Sequence, residues 1–410
     1  MERNHKPGIF YGYVIVVVSI LLFFIIHGLS ASYGVFFKSL QEDFGCSRTV
    51  ISAAHSVAFI LTGLVSIPAG RFTDSVGPRV VVAVGGITLA LGYMLMSQTS
   101  ATWQLFLVYG LIVGSSVSVA NVPLLTTLAK WFIGRRGLMT GIVKTGTGLG
   151  ILGMPLIASH LITSYGWRTA YLVLAAIALV GVLPLTQFLR RDPEQKGLKP
   201  YGIDDSTGNT SRLSFIGLTL RKAVRTRQYW TVAGICFLFW YCMHSVTVHI
   251  VPHALDLGYS PVRAASIISV IGGVSILGRV IIAGSSDRIG SRRAMIICSL
   301  ILLSSLSLLY FTRELWQFYV FAAIYGFSHG GFAAMVSPLV AELFGTRFHG
   351  SLYGVITFFG TGGGAIGPLI AGRIFDVYAS YQPAFLILIV ASVIALMLAI
   401  SLKPVEISNE

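Results

Sequence analysis

The sequence predicts an all-helical integral membrane protein of twelve transmembrane helices in two pseudo-symmetric six-helix bundles, and three observations carry that prediction. Of 410 residues, 55% are hydrophobic and 11% charged, against about 25% charged in an ordinary soluble domain. The apolar residues fall in runs of about 20, the length of helix that crosses a bilayer. The basic residues occupy the short gaps between those runs, so the net charge of +14 reads as membrane topology, and no nucleic-acid partner is expected. Cys46, Cys236, Cys242 and Cys298 are scattered without metal-ligand spacing, and neither a disulfide framework nor a metal or cofactor site is implied.

In chain order the expected spans are 9–37, 49–70, 80–97, 103–129, 137–161, 169–189, 228–254, 262–286, 294–312, 317–341, 350–372 and 384–402. The first exceeds a signal-peptide core and lacks a small-residue cleavage site, so it should remain as a span. The polar stretch 190–227 reads as a linker between two halves, 1–189 and 228–410. Lys38, Arg48, Arg168, Arg263, Arg313 and Arg373 fall on one side, two basic residues fall within spans, and the other 21 of the 29 fall on the side of the termini. That side is expected to be cytoplasmic, in a cell (plasma or inner) membrane.

A constant shift of 213 residues superposes the halves. Asp43, Gly45 and Ser47 fall on Asp256, Gly258 and Ser260; Asp74, Gly77 and Arg79 on Asp287, Gly290 and Arg292. Trp103 and Gln104 meet Trp316 and Gln317, Gly137 and Gly141 meet Gly350 and Gly354, and Pro155 meets Pro368. Homologous bundles related in this way place a solute site at their interface near the midplane and expose it alternately by rocking.

The segment Gly70-Arg-Phe-Thr-Asp74-Ser-Val-Gly77-Pro-Arg79 and its counterpart Gly284-Ser-Ser-Asp287-Arg288-Ile-Gly290-Ser-Arg292-Arg293 resemble the signature that follows helix 2 in the major facilitator superfamily. Tyr11-Gly12-Tyr13, the run Trp131 to Leu138, and Arg279 are similar to the monocarboxylate-porter and oxalate/formate-porter branch. Asp74 and Asp287 are each expected to face the N-terminus of a neighbouring helix and a nearby arginine as a gating latch, with Arg79, Arg288 and Arg292 in the motif. The plainer alternative is a solvated loop whose charges serve topology.

Deep within the expected spans, away from their ends, lie Lys144 and Arg279 and no carboxylate. Intramembrane charges are costly and mark substrate paths, so the missing counter-ion is expected to be an anionic substrate. At 1.5 Å per residue both sit about 12 Å from the interface. The repeat equivalents are the neutral Thr357 and Ser66. Arg279 suits a carboxylate through its planar fork, and the resemblance implies the same role; the alternative is an arginine satisfied by helix carbonyls. Lys144 either joins it or snorkels and ties helices together.

Asn121, Tyr325, Tyr353, Phe358 and Phe359 are further substrate-site candidates. His244, His249 and His329, with Asp256 near the far mouth, are proton-coupling candidates. Animal monocarboxylate porters place a Lys in helix 1 and an Asp before the helix-8 Arg. Those positions here hold Ala31 and Ser275, so that relay is absent. No Walker sequence is present, and no nucleophile, acid–base pair or metal cluster appears in the spans. An ATP-driven pump and an enzyme are therefore not expected. The expectation is a secondary transporter, most directly a proton-coupled monocarboxylate symporter of lactate/pyruvate type, working as a monomer in the lipid bilayer. An organic anion exchanger of oxalate/formate type and an anion channel are the alternatives.

Overall fold

The computed structural model describes residues 10–46, 48–202 and 217–403; Ser47 and the middle of the linker lie outside the described residues. Helix α1 (Tyr11–Ala31) bends at Ser32 and continues as Tyr33–Phe44. Then follow α2 (Arg48–Ser75), α3 (Pro78–Met96) and α4 (Thr102–Trp131). A helical run Arg136–Thr186 of 51 residues is broken at Gly166, whose φ of 79° and ψ of 161° are not helical. At 1.5 Å per residue it is about twice the length one crossing needs, so it is two spans, α5 (136–165) and α6 (167–186). The last six are α7 (Arg227–Asp256), α8 (Pro261–Ile289), α9 (Ser291–Phe311), α10 (Leu315–Phe344), α11 (His349–Tyr378) and α12 (Gln382–Ser401). The spans are longer than expected at several ends, which puts Asp74 and Asp287 on the last turns of α2 and α8 rather than in loops.

The repeat has a structural basis at residue level. Gln104 Oε1 accepts from the Ser100 and Ala101 amides at 2.7 and 3.1 Å, capping the start of α4. Its counterpart Gln317 accepts from Arg313 and Glu314 at 2.7 and 3.0 Å, capping α10. Gly77 and Gly290 take φ of 98° and 86°, a region only glycine enters freely, and turn the chain from α2 into α3 and from α8 into α9.

Within each bundle α1 packs on α5, α7 on α11 and α8 on α10; between the bundles α2 packs on α11 and α5 on α8. The crossings between bundles are close because side chains are absent. A Cβ on Gly141 of α5 would lie 2.2 Å from the Arg279 carbonyl oxygen of α8, so only glycine admits that approach.

Both aspartates of the repeated motif bridge the bundles at the face where the described chain begins and ends. Asp74 Oδ1 accepts from Gly350 N at 3.0 Å, and its Oδ2 accepts from Ser351 N at 2.7 Å and Ser351 Oγ at 2.8 Å. Asp287 accepts from Gly137 N at 2.7 Å and Leu138 N at 2.9 Å. Residues 137 and 138 are 350 and 351 shifted by the repeat, so each bundle offers one carboxylate and one helix N-terminus. A carboxylate on the orphan amides of a first turn is favoured by both hydrogen bonding and the helix dipole.

The motif arginines act elsewhere than expected. Arg79 bonds Gln187 Oε1 beyond the end of α6, and Arg292 Nη2 donates to the Ile400 carbonyl at 2.6 Å near the end of α12. They brace helices inside each bundle instead of pairing with the aspartates. Arg288 is exposed.

The described ends of the linker are anchored. Trp131 Nε1 donates to the Arg190 carbonyl at 3.0 Å, Tyr201 N to the Trp131 carbonyl at 2.9 Å, and Leu218 N to the Phe344 carbonyl at 3.0 Å.

Candidate functional site

Above the latched face the two bundles enclose a cavity of about 350 Å³, within the range that holds small molecules. The first bundle contributes His27 and Ala31 of α1, His55 and Thr62 of α2, Asn121 of α4, and Lys144 and Thr147 of α5. The second contributes Trp240 and His244 of α7, Arg279 of α8, His329 of α10, and Tyr353, Thr357 and Thr361 of α11. One arginine, one lysine and four imidazoles line it, and none of the described lining residues is Asp or Glu.

Arg279 is 5% exposed. Its Nη1 donates to the Lys144 carbonyl at 2.8 Å, and Gly148, whose Cβ would lie 3.2 Å from that nitrogen, leaves room for the guanidinium against α5. Lys144 Nζ donates to Asn121 Oδ1 at 2.7 Å and lies 5.0 Å from the Phe23 ring centroid. The Asn121 amide nitrogen in turn meets His27 Nε2 at 3.1 Å. Buried Arg279 Nε, His329 Nδ1 and Thr147 Oγ1 have no hydrogen-bond partner among the described residues. Buried polar groups are normally paired, and unpaired ones around a cavity mark where a polar solute completes the set.

These helices are those of a known family. The sequence profile described as Major Facilitator Superfamily matches residues 19–289 and 276–410. The chain belongs to the major facilitator superfamily. Its relatives include monocarboxylate transporter 13 of Rattus norvegicus, 27% identical over 396 residues that cover 94% of this chain and 88% of the relative. Monocarboxylate transporter 12 of Homo sapiens is 24% identical over 400 residues, covering 92% and 77%. Among solved structures, the human organic anion transporter MFSD10 superposes with a TM-score of 0.77 at 16% identity, covering 96% of this chain and all of that one. This superfamily member is a multi-pass membrane transporter and not an enzyme.

The cavity gathers only part of the residues singled out from the sequence. Arg279, Lys144, Asn121, Tyr353, His244 and His329 line it. Tyr325 does not: it is buried between helices, its hydroxyl donating to the Met243 carbonyl at 2.8 Å. Phe358 and Phe359 are on the other side of α11 from Tyr353, Thr357 and Thr361; Phe359 packs edge-on against Trp230 at 5.5 Å. His249 is a structural tie, with Nε2 donating to the Pro368 carbonyl at 2.9 Å and Nδ1 meeting the Tyr381 hydroxyl at 3.1 Å. Asp256 is exposed at the end of α7.

Sequence reasoning missed His27 and His55. The available signal was their depth: each is a lone imidazole well inside an apolar run, on α1 and α2. Asn121 is present as expected, but both ends of its amide are engaged by protein groups.

Proposed function

We propose that this transporter carries small organic anions, most directly a short monocarboxylate of lactate or pyruvate type together with a proton, by alternating access between halves 1–189 and 228–410 joined by the linker 190–227. The observation that carries the reading is the cavity charge: Arg279 and Lys144 face a space between the bundles whose described lining holds no carboxylate. An anionic solute is the counter-ion that makes such a site favourable. Arg279 takes the carboxylate through its fork, with Lys144 as a second positive group. The hydroxyl of Tyr353 is a neutral donor, and Trp240 supplies an apolar wall. The relatives named monocarboxylate transporters support the same substrate class.

The Asp74 and Asp287 latches hold closed the face where the described chain begins and ends, so the state described loads from the opposite face. The basic loops assign the latched face to the cytoplasm. Protons exchange through the cavity imidazoles, since the acidic partner of the animal porters is replaced by Ser275. The transporter acts as a monomer in the cell membrane.

Uptake of labelled lactate into proteoliposomes, with and without an inward proton gradient, tests the reading. Gradient-dependent accumulation supports symport. Uptake that needs internal lactate and ignores the gradient replaces symport with exchange. No uptake of any short monocarboxylate contradicts the proposal.

A further inference from the structure

We infer that His27, Asn121 and Lys144 form a proton-operated gate in which protonation of His27 hands the Lys144 ammonium to the bound anion. The inference rests on the anion-carrier reading above and adds the device that links proton to substrate.

The logic is one of donors and acceptors. Lys144 Nζ is a donor when charged and accepts nothing. At 2.7 Å it therefore fixes Asn121 Oδ1 toward itself, and the amide NH2 is left to face His27 Nε2 at 3.1 Å. Nε2 must accept that bond. His27 is thereby held neutral, with its proton on Nδ1.

A proton arriving from the open side on Nε2 turns both ring nitrogens into donors. Nε2–H then opposes the amide NH2, donor against donor. Turning the amide over satisfies His27 and places NH2 against the ammonium, which is again donor against donor. Charged His27 and amide-bound charged Lys144 are mutually exclusive, so Lys144 must leave the amide for the cavity. Arg279 is held next to it through the Lys144 carbonyl, so the freed ammonium and the guanidinium share one anion. With no anion the two cations repel, and Lys144 is driven back.

Proton and anion consequently favour each other's binding, as any linked pair must do reciprocally. One N–H bond forms on His27 and one carboxylate arrives, so the net charge of the site is unchanged. Both leave on the far side.

The other titratable or charged groups on the cavity are Arg279 of α8, His55 of α2, Tyr109 of α4, Cys236 and His244 of α7, His329 of α10 and Tyr353 of α11. The Asn121 amide joins His27 to Lys144 and to none of these. His55 instead stacks on Tyr33 and Tyr109, with ring centroids at 5.6 and 6.2 Å.

Two measurements on the full-length protein in nanodiscs test the gate. The first needs no substrate: nitrogen-15 NMR of histidine-labelled protein, with His27 assigned by the signal lost in His27→Gln. The Nδ1–H tautomer is expected near neutral pH, and Lys144→Met should let the ring adopt either tautomer. A pure Nε2–H tautomer in the unaltered protein overturns the gate.

The second is lactate affinity at about pH 6 and about pH 8, where linkage of this kind gives roughly tenfold tighter binding at the lower pH. His27→Gln and Asn121→Leu should flatten that dependence. Variants that keep the unaltered slope overturn the inference even if lactate is transported. If lactate binds at neither pH, the substrate reading falls, and the tautomer result still decides the gate.

Discussion

Arg279 makes one hydrogen bond among the described residues, to the Lys144 carbonyl, which leaves most of a five-donor fork for a solute. Replacing it with alanine removes a charge-assisted partner of about 1.5–3 kcal/mol, or roughly ten- to a hundredfold in apparent lactate affinity. Arg279→Lys keeps the charge but not the fork, and an intermediate loss is expected. Half-saturation constants for the two variants in proteoliposomes check this order. Equal loss in both would mean that geometry contributes everything and charge nothing. Lys144→Gln should also weaken binding, since it removes the second cation while leaving a group able to donate to Asn121.

At the scale of helices, the account turns on four N-terminal amides and two carboxylates. Asp74→Asn and Asp287→Asn each keep an acceptor but lose the charge that the helix dipole favours. Each should shift the balance away from the latched state by about 1 kcal/mol, roughly fivefold in population. The two latches share no partners, so the double variant should be near-additive. Spin-label distances between Ser75→Cys and Arg347→Cys, both exposed at that face, report it as a longer population that grows from single to double variant. Gly141→Leu should do the same by steric means, because its Cβ would sit 2.2 Å from the Arg279 carbonyl oxygen.

These latches were legible in the sequence because a fixed offset paired Asp74 with Asp287 and Gly137 with Gly350. The partners of Arg79 and Arg292 were not. Which way a long side chain leaves a helix end depends on the neighbouring helix, and here α6 and α12 are closer partners than the aspartates. The glycines of α5 serve two contacts that their spacing in the sequence does not separate. Gly137 and Gly141 face the other bundle, whereas Gly146 and Gly150 admit α1 of their own.

For the whole molecule, twelve spans and the charge asymmetry of the interior follow from counting apolar residues and placing cations, and the described residues show twelve spans and a cavity lining with Arg279 and Lys144 and no carboxylate. Choosing which aromatic or histidine faces the cavity needs the rotation of each helix about its axis. Hydropathy does not supply it when the run is apolar all round. Tyr325, Phe358, Phe359 and His249 therefore fall outside the cavity lining, and His27 and His55 were overlooked. A cavity holding two cations without carboxylates is destabilising until filled, so bound lactate should raise the thermal unfolding midpoint in detergent saturably. Arg279→Ala should show a much smaller shift.

The most direct test is equilibrium binding of lactate beside its uncharged amide, lactamide, which has nearly the same shape. If the site exists to neutralise Arg279 and Lys144, lactate binds and lactamide is weaker by roughly a hundredfold, the worth of a desolvated charge pair. Equal binding of the two, or binding of an organic cation in their place, would contradict the account.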